Sequence, residues 1–289
     1  MPTDPAPAPA WRALVLDLDG TLIGPSGRPH PRTAEVLGRL IASDAHVMIA
    51  TGRSEGGTKG VLADLGLETP AIVFNGAGLY CPVRGKLLEE RTLSDRTIAR
   101  TLDWCLEQDM PAVVMRAGAK FARHPKSDTE ARALRGLEDL TLVDEADLPR
   151  ERLIRITAFS DAYEDSAALE AALVARLGQP IYATHFPLDA LYEHRGSPYQ
   201  VVDVQPPCRG KGEALRWLAE ERGIPSAAVV AVGDATNDLP MFEAAGLAVA
   251  MRDAMPEALA AADRVIGGAE TDAIAELCEE LFEGFLAPV

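Results

Sequence analysis

The sequence predicts an α/β protein in which a parallel-sheet domain is interrupted by an inserted α+β domain. Short apolar strands alternate with helix-period segments in the first 82 residues and again after residue 198, which is typical of a parallel sheet with helical crossovers. Between these stretches the pattern changes to strands and helices that can bury a core of their own. We therefore expect a disordered tail at 1–10, a discontinuous main domain at 11–82 and 198–289, and an inserted domain at 83–197.

The first part of the main domain alternates predicted strands and helices. The strands are short and apolar, and the helices repeat apolar residues at three- and four-residue spacing. In chain order they are a strand at 12–16, a helix at 32–43, a strand at 46–50, a helix that carries Val61, Leu62 and Leu65, and a strand at 71–74.

The inserted segment is predicted to mix short strands with three helices. In chain order we expect a hairpin arm at 86–92, a helix at 94–108, strands at 112–116 and 120–123, a helix at 129–137, a strand at 152–159, a helix at 164–177, and strands at 181–186 and 191–194.

The alternation of the main domain resumes after the insertion. The predicted elements are a strand at 199–204, a helix after Lys211, a strand at 228–232, a short helix with Met241 and Phe242, a strand at 247–251, and helices at 256–262 and 271–285.

Composition and charge exclude several classes of protein. Lys and Arg number 28 against 44 Asp and Glu, so a net charge of -16 would repel a polyphosphate backbone, and we expect no nucleic-acid partner. No apolar run approaches the roughly 18 residues that span a membrane, so no membrane partner is expected. The four cysteines are far apart and the opening residues lack a signal-peptide pattern, which favours reduced thiols and a cytoplasmic location. The oligomeric state stays open.

Two aspartates stand where the first apolar strand ends. Asp17 and Asp19 are separated by one residue and followed by Gly20. Side chains two residues apart on extended backbone point the same way, so both carboxylates can face one small volume at the carboxyl end of the strand, where open α/β sheets bind ligands. Like charges repel there unless a cation or a proton lies between them. The alternative is a solvated acidic loop.

Polar side chains also follow other elements of the main domain. Thr51 follows the second strand, Lys211 precedes a helix, and Asp234, Asn237 and Asp238 follow the strand at 228–232. Carboxylates gathered at one sheet edge suit Mg²⁺, which takes oxygen ligands and keeps several waters. A hydroxyl, an ammonium and backbone N–H groups at helix starts can donate to a phosphate.

Each of these residues also has a simpler explanation. Thr51 could cap the following helix, Lys211 could be a solvated cation, and the residues after Gly233 could form a plain turn. Their joint occurrence in this order at strand ends favours a site.

A phosphate at this edge would meet two carboxylates with different surroundings. Asp17 ends the rigid strand and is the better nucleophile, so its attack would give an aspartyl-phosphate. Asp19 sits in the turn, where it could protonate the leaving oxygen and later activate water. The metal and Lys211 would neutralise the charge of the phosphoryl group.

The residues that carry this chemistry resemble the four ordered motifs of the haloacid dehalogenase superfamily. The motifs are Asp17-Leu-Asp19-Gly20-Thr21, Thr51-Gly52-Arg53, Lys211-Gly212, and Gly233-Asp234 with Asn237-Asp238. The insertion is similar to the cap of its Cof-type phosphatases (type IIB), and the likeness runs from about residue 11 to 286. It implies a Rossmann-like core with an inserted α+β cap, and Mg²⁺ held by Asp17, Asp234 and the backbone carbonyl of Asp19.

The resemblance also implies roles for neighbouring residues. Thr51, Gly52, Lys211 and Asn237 would bind phosphate, Asp238 would support Lys211 or a metal-bound water, and Asn75-Gly76 would line the cleft. Where relatives commonly have Gly-Asn, this chain has Arg252-Asp253, and a bulky cation there could change substrate specificity.

The turn after Asp19 is too short to cover a site alone, so the insertion is expected to close over the sheet edge and exclude water. Most of its candidate substrate contacts are expected to be solvated surface charges. These candidates are Arg116, Lys120, Arg123, His124, His185, His194 and Arg195.

Three functions remain open at this point. The leading hypothesis is a Mg²⁺-dependent phosphatase for a small phosphorylated metabolite, such as a sugar phosphate or a phosphorylated cofactor. A phosphomutase or phosphotransferase would use the same aspartyl-phosphate and hand it to a sugar. A non-catalytic phospho-acceptor like a response-regulator receiver also combines acidic residues with Thr and Lys, but it lacks the insertion and the Asp-x-Asp-Gly-Thr order.

Overall fold

The structure is a computed structural model that describes residues 11–137 and 139–286. The expected tail at 1–10 lies outside the described residues. In chain order, the strands of the described part are β1 (Ala13–Leu16), β2 (His46–Ile49), β3 (Ala71–Val73), β4 (Gly78–Cys81), β5 (Lys86–Glu90), β6 (Ala112–Arg116), β7 (Ala119–Arg123), β8 (Leu140–Val143), β9 (Arg155–Ser160), β10 (Tyr182–Pro187), β11 (Gln200–Gln205), β12 (Val229–Gly233), β13 (Leu247–Met251) and β14 (Arg264–Ile266).

The helices of the same part of the chain occur between these strands and at its end. They are α1 (Pro31–Ile41), α2 (Glu55–Asp64), α3 (Asp95–Glu107), α4 (Asp128–Ala133), α5 (Ser166–Leu177), α6 (Glu213–Arg222), α7 (Leu239–Phe242), α8 (Pro256–Ala261), α9 (Ala273–Leu281) and α10 (Glu283–Leu286).

A five-stranded parallel sheet forms the centre of the main domain, in the order β14-β13-β12-β1-β2. Strand β1, which lies between β12 and β2, is buried along its whole length. Because side chains alternate along a strand, β1 contributes to two apolar clusters. Leu14 and Leu16 join the cluster that contains residues of α1 and α9, and Val15 joins the cluster of α6. This confirms the predicted α/β class and brings the carboxyl ends of β1, β2 and β12 to one edge.

A small antiparallel sheet of β3, β4 and β5 lies beside β2, the last strand of the parallel sheet. A parallel bridge joins Ala50 to Ile72, and the N–H of Thr51 donates to the carbonyl of Ile72 at 2.9 Å. The predicted hairpin arm at 86–92 corresponds to β5 and pairs with β4. The arm therefore belongs to the main-domain side of the molecule.

The inserted domain contains a six-stranded mixed sheet in the order β10-β11-β9-β6-β7-β8, which we call the second sheet. One of its faces packs on α3 and α5 through an apolar cluster that includes Leu102, Ile156 and Leu169. Residues of the opposite face, such as Val113 and Met115, join the cluster of the main domain. The insertion is thus a two-layer α+β unit. The face of the second sheet that is not covered by α3 and α5 packs toward the main domain.

The structure corrects two sequence predictions near the end of the insertion. The strand at 199–204 was expected to resume the main domain, but β11 pairs antiparallel with β9 and β10 in the second sheet. Its valines are buried and would suit either sheet, so composition could not distinguish them. The strand predicted at 191–194 is wrong. A 3-10 turn at Tyr192–His194 occupies this segment, and another at Leu188–Ala190 precedes it.

Candidate active site

Asp17 and Lys211 form a buried ion pair at the carboxyl end of β1. The ammonium Nζ of Lys211 donates to Oδ1 of Asp17 at 2.7 Å and to Oδ1 of Asp238 at 2.6 Å. Burial raises the pKa of Asp17 well above its usual value, although the charge of Lys211 opposes this shift. Burial alone would lower the pKa of Lys211, but the two carboxylates raise it. Lys211 therefore remains a fixed positive charge beside Asp17.

Asp238 fixes the loop that follows β12. Its Oδ2 accepts hydrogen bonds from the backbone N–H groups of Asp234 and Ala235, both at 2.9 Å. A Cβ atom at Gly233 would lie 2.4 Å from the carboxyl carbon of Asp238, so the close approach requires glycine. Asp238 thus supports Lys211 with one oxygen and orders this loop with the other.

Asp234 faces the turn after β1. Its Oδ1 accepts a hydrogen bond from the hydroxyl of Thr21 at 2.7 Å. Burial and the neighbouring charge of Asp238 raise the pKa of Asp234 to about 6. At Gly20, where φ is +82°, a Cβ atom would lie 2.3 Å from Oδ2 of Asp234. Thr21 orients this carboxylate, a role that was not predicted, and its position directly after Asp19-Gly20 was the available signal.

The carboxylates of Asp17, Asp234 and Asp238 form a group that suits a metal ion. They offer ligand atoms that all lie within 4.8 Å of one another. Burial and the charges of neighbouring carboxylates raise the pKa values of Asp17 and Asp234, so a cation bound here would favour their ionised forms. Hard oxygen ligands are those that Mg²⁺ prefers, so the donor set fits the expected metal. The side chain of Asp19 lies outside this group, which leaves its backbone carbonyl as the atom that the resemblance implies.

Asp19 is held by Arg53, which lies in the loop after β2. Nε and Nη2 of Arg53 donate to the two carboxylate oxygens of Asp19, the first at 2.8 Å. The N–H of Gly20 donates to the carbonyl of Ile23 at 2.9 Å and closes the turn. The side chain of Asp19 is 56% exposed, so its carboxylate faces open space beside the buried acidic group.

The loop at Thr51-Gly52 packs against a turn with unusual backbone geometry. The N–H of Phe74 donates to the carbonyl of Arg53 at 2.8 Å, and the N–H of Asn75 donates to the carbonyl of Thr51 at 3.1 Å. Phe74 and Asn75 have φ angles of +52° and +50°, which non-glycine residues adopt at a cost of about 1–2 kcal/mol each. The contacts with the loop offset this strain.

The same turn reaches two other predicted site residues. The side-chain amide of Asn237 donates to Oδ1 of Asn75 at 3.0 Å. The Oδ1 atom of Asn237 is buried and finds no hydrogen-bond partner among the described residues. At Gly76, where φ is +100°, a Cβ atom would lie 2.2 Å from the carbonyl oxygen of Gly210, beside Lys211. The turn Phe74–Gly76 therefore contacts the Thr51 loop, Asn237 and the turn that carries Lys211.

A cleft of about 510 Å³ lies between the main and inserted domains, next to Asp19. Of the candidate contacts in the insertion, Lys120 and His194 line this cleft. Arg135 and Arg155 also line it, although no motif or spacing singles them out. The residues with ionisable side chains around the cleft are Asp19, Arg53, Lys120, Arg135, Arg155, Glu193 and His194.

Other residues singled out from the sequence lie away from this cleft. Arg123 is buried in an ion pair with Glu130, which is a structural role. Arg252 and Asp253 are exposed after β13 and do not line the described cleft. The other candidates outside its described lining are Arg116, His124, His185 and Arg195.

The fold and the strand-end site define the class of this protein, an α/β enzyme with a cleft between two domains. The family model of the haloacid dehalogenase-like hydrolases matches residues 14–277. The chain is 28% identical over 272 residues to pyridoxal phosphate phosphatase YbhA of Escherichia coli, covering 92% of this chain and 96% of the relative. It is 29% identical over 269 residues to the HMP-PP phosphatase of Serratia proteamaculans, covering 92% and 93%. The solved structure of the subclass IIB sugar phosphatase BT4131 superimposes with a TM-score of 0.76 at 20% identity, covering 95% of this chain and 99% of that one.

The chain belongs to the haloacid dehalogenase-like hydrolases, and it is a phosphoric monoester hydrolase of that superfamily. The resemblance drawn from the four motifs is confirmed, as is the α/β fold with an inserted domain. Within residues 11–137 and 139–286, no helix has both the length and the apolar character to cross a bilayer.

Proposed function

We propose that the protein is a Mg²⁺-dependent phosphatase that hydrolyses a small phosphomonoester, a sugar phosphate or a phosphorylated cofactor, through an aspartyl-phosphate on Asp17. The observation that carries this proposal is the placement of Asp17, a buried carboxylate directly after the interior strand β1, with the Lys211 ammonium 2.7 Å away. The names of the curated relatives, with pyridoxal phosphate and HMP-PP as substrates, support a small phosphorylated metabolite.

In the first step, an oxygen of Asp17 attacks phosphorus, and the bond between phosphorus and the ester oxygen breaks. Lys211 stabilises the charge on the phosphoryl oxygens, and Thr51 and Asn237, together with the backbone N–H of Gly52, bind them. Asp19, which faces the cleft, gives its proton to the departing alkoxide.

In the second step, Asp19 is a carboxylate and takes a proton from water. The water oxygen attacks phosphorus, the bond between phosphorus and the Asp17 oxygen breaks, and inorganic phosphate leaves. Uncatalysed hydrolysis of phosphomonoesters is among the slowest known reactions. Charge neutralisation by the site must therefore supply much of the reduction in the activation barrier. Arg53 orients Asp19 for both proton transfers.

The residues that would hold Mg²⁺ are Asp17, Asp234 and the backbone carbonyl of Asp19, with Asp238 in support. When bound, the metal supplies positive charge that stabilises the transferring phosphoryl group and relieves the repulsion among the carboxylates. We also propose a cytoplasmic location, which the four free cysteines support.

A panel of phosphomonoesters tests this function, with phosphate release and acid-quenched peptide mass spectrometry as the readouts. We expect release of inorganic phosphate for each substrate molecule consumed and a transient phosphoryl group on the peptide that contains Asp17. Isomerised substrate without net phosphate release would indicate the phosphomutase alternative. A long-lived phosphorylated form without turnover would indicate the phospho-acceptor, and either result would overturn the proposal.

A further inference from the structure

Arg155 joins the inserted domain to the loop that follows β2. It lies at the start of β9, and its Nη2 donates to the carbonyl oxygen of Gly52 at 2.6 Å. Only 6% of its surface is exposed. Gly52 stands between Thr51, which the proposed function places on the phosphate, and Arg53, which holds Asp19. A side chain of the inserted domain therefore contacts the phosphate-binding loop directly.

The guanidinium group of Arg155 is held from two further sides. Its Nη1 pairs with Oδ2 of Asp203 at 3.3 Å, and the hydroxyl of Thr157 donates to the other oxygen of this buried carboxylate. Its central carbon lies 5.3 Å from the ring centroid of Phe74. A planar fork that serves separate acceptors while stacking on a ring is a property of arginine that lysine lacks. These contacts fix Arg155 in one orientation.

The contact with the Gly52 carbonyl also sets the orientation of the next donor. In a trans peptide the carbonyl of Gly52 and the N–H of Arg53 belong to one plane and point in opposite directions. That N–H donates to the hydroxyl oxygen of Thr51 at 3.1 Å. The hydrogen bond from Arg155 to the Gly52 carbonyl therefore also fixes the Arg53 N–H that donates to the Thr51 hydroxyl.

We propose that Arg155 is a positioning residue that orders the Thr51-Gly52 loop for the incoming phosphoryl group. The proposal rests on the proposed function, since it takes this loop as the phosphate site. Docking of the inserted domain and correct geometry of the phosphate loop then depend on the same side chain. A purely structural ion pair between Arg155 and Asp203 would instead affect stability alone.

The test compares variants that separate the Gly52 contact from the buried charge pair. Arg155→Met with Asp203→Asn removes both charges together, so no unpaired charge is left in the second sheet. Asp203→Asn alone keeps the contact with Gly52. Arg150→Met is the matched control, because Arg150 is an exposed arginine of the same domain that pairs with Asp103.

The readouts are the inhibition constant of orthovanadate, which adopts the five-coordinate geometry of phosphoryl transfer, and kcat and KM for p-nitrophenyl phosphate, all at saturating Mg²⁺. Binding of inorganic phosphate is measured directly by calorimetry. Thermal melting reports stability for every variant, and all assays are run well below the melting temperature.

We expect the double variant to raise the vanadate inhibition constant about 10- to 100-fold, since small displacements of a positioning group cost this much. Arg150→Met should stay within about twofold of the wild type. Asp203→Asn, which removes one contact of Arg155 but keeps its hydrogen bond to Gly52, should raise the constant less than the double variant does. Arg155→Lys keeps the buried positive charge and therefore the fold. Its vanadate inhibition constant should lie between those of the wild type and the double variant, because one ammonium cannot replace the planar guanidinium.

Unchanged vanadate inhibition in both the folded double variant and Arg155→Lys would overturn this inference while leaving the phosphatase intact. A wild-type protein that neither releases phosphate nor binds it would instead overturn the proposed function.

Discussion

The Nζ atom of Lys211 lies 2.7 Å from Oδ1 of Asp17, and only 1% and 5% of the two side chains are exposed. This ion pair ties the strand end of β1 to the turn Gly210–Gly212. Because water cannot screen charges at this depth, removal of either partner should change the chemistry and the stability of the whole site.

Asp17→Asn should lower kcat for p-nitrophenyl phosphate by about 10³-fold or more, since loss of a nucleophile typically has such an effect. The fold should persist because asparagine keeps the shape of the side chain and an acceptor oxygen for Lys211. Phosphate release and thermal melting check both statements. Asp253→Asn, at an exposed position outside the described cleft lining, is the control and should retain wild-type activity. Substantial turnover by Asp17→Asn would remove Asp17 as the nucleophile.

Asp19→Asn should lower kcat by about 10²- to 10⁴-fold, the usual contribution of a general acid and base. With p-nitrophenyl phosphate the leaving group needs little protonation, so the first step should proceed and the aspartyl-phosphate should accumulate. Intact-mass measurement after an acid quench would detect one added phosphoryl group. A variant with normal turnover would show that Asp19 plays no part in proton transfer.

Lys211→Met should lower the free energy of unfolding by about 3–5 kcal/mol near neutral pH, because it leaves buried carboxylates without their cation. Mg²⁺ should restore part of this loss, and so should acid, since protonated carboxyls need no counter-charge. Denaturant unfolding with and without Mg²⁺ measures the effect. Lys126→Met removes an exposed lysine that pairs with Asp109 and should cost less than about 1 kcal/mol. Equal costs for the two variants would contradict the buried charge network.

Binding of Mg²⁺ should weaken as the pH falls through about 6, the raised pKa of Asp234, because the metal requires the ionised carboxylate. The same raised pKa has the opposite effect on the stability of the metal-free protein. A carboxyl whose folded pKa is raised binds its proton more tightly in the folded state, so its stabilising contribution is complete in acid and is lost as the pH rises through 6. Calorimetric titration and thermal melts on both sides of this pH check the two trends. Asp234→Asn should weaken metal binding and reduce both trends, and trends that persist at full size would assign them to other groups.

Gly20→Ala should impair Mg²⁺ binding, whereas Gly27→Ala should not. Both glycines have positive φ angles, +82° and +72°, so both substitutions carry a backbone cost of about 1–2 kcal/mol. Only at Gly20 would the new Cβ meet a neighbour, the carboxylate of Asp234 at 2.3 Å. Melting temperatures should therefore fall in both variants, while metal affinity measured by calorimetry should fall only in Gly20→Ala. Equal metal affinities would mean that Asp234 can move without consequence.

The arrangement of the strand ends could be predicted from the sequence because the carboxyl ends of parallel strands meet at one edge. Local patterns around Asp17 and Asp234 were therefore enough to bring these two residues together, and the structure places their carboxylates in one group. The deeper position of Asp238, whose carboxylate joins the acidic group, could not be predicted in this way, because it depends on the backbone path after Gly233.

Contacts between the domains could not be predicted, because they join residues far apart in the sequence. Arg155 and Gly52 are separated by 103 positions, and nothing local to either one indicates the other. Strand pairing posed the same difficulty for β11, whose valines suit both sheets. The edge strands β8 and β14 were missed because few of their side chains are buried, which leaves a weak apolar pattern.

The membership of β11 in the second sheet has a practical consequence for engineering chimeras. A graft that exchanged residues 83–197 would cut β5 from its hairpin and leave β11 behind as an orphan strand, exposing Val201, Val202 and Val204. Junctions placed after Arg91 and before Pro206 would transplant an intact sheet. The second junction would then fall five residues before Lys211, so any donor segment must return the chain to the recipient at the same point and in the same direction.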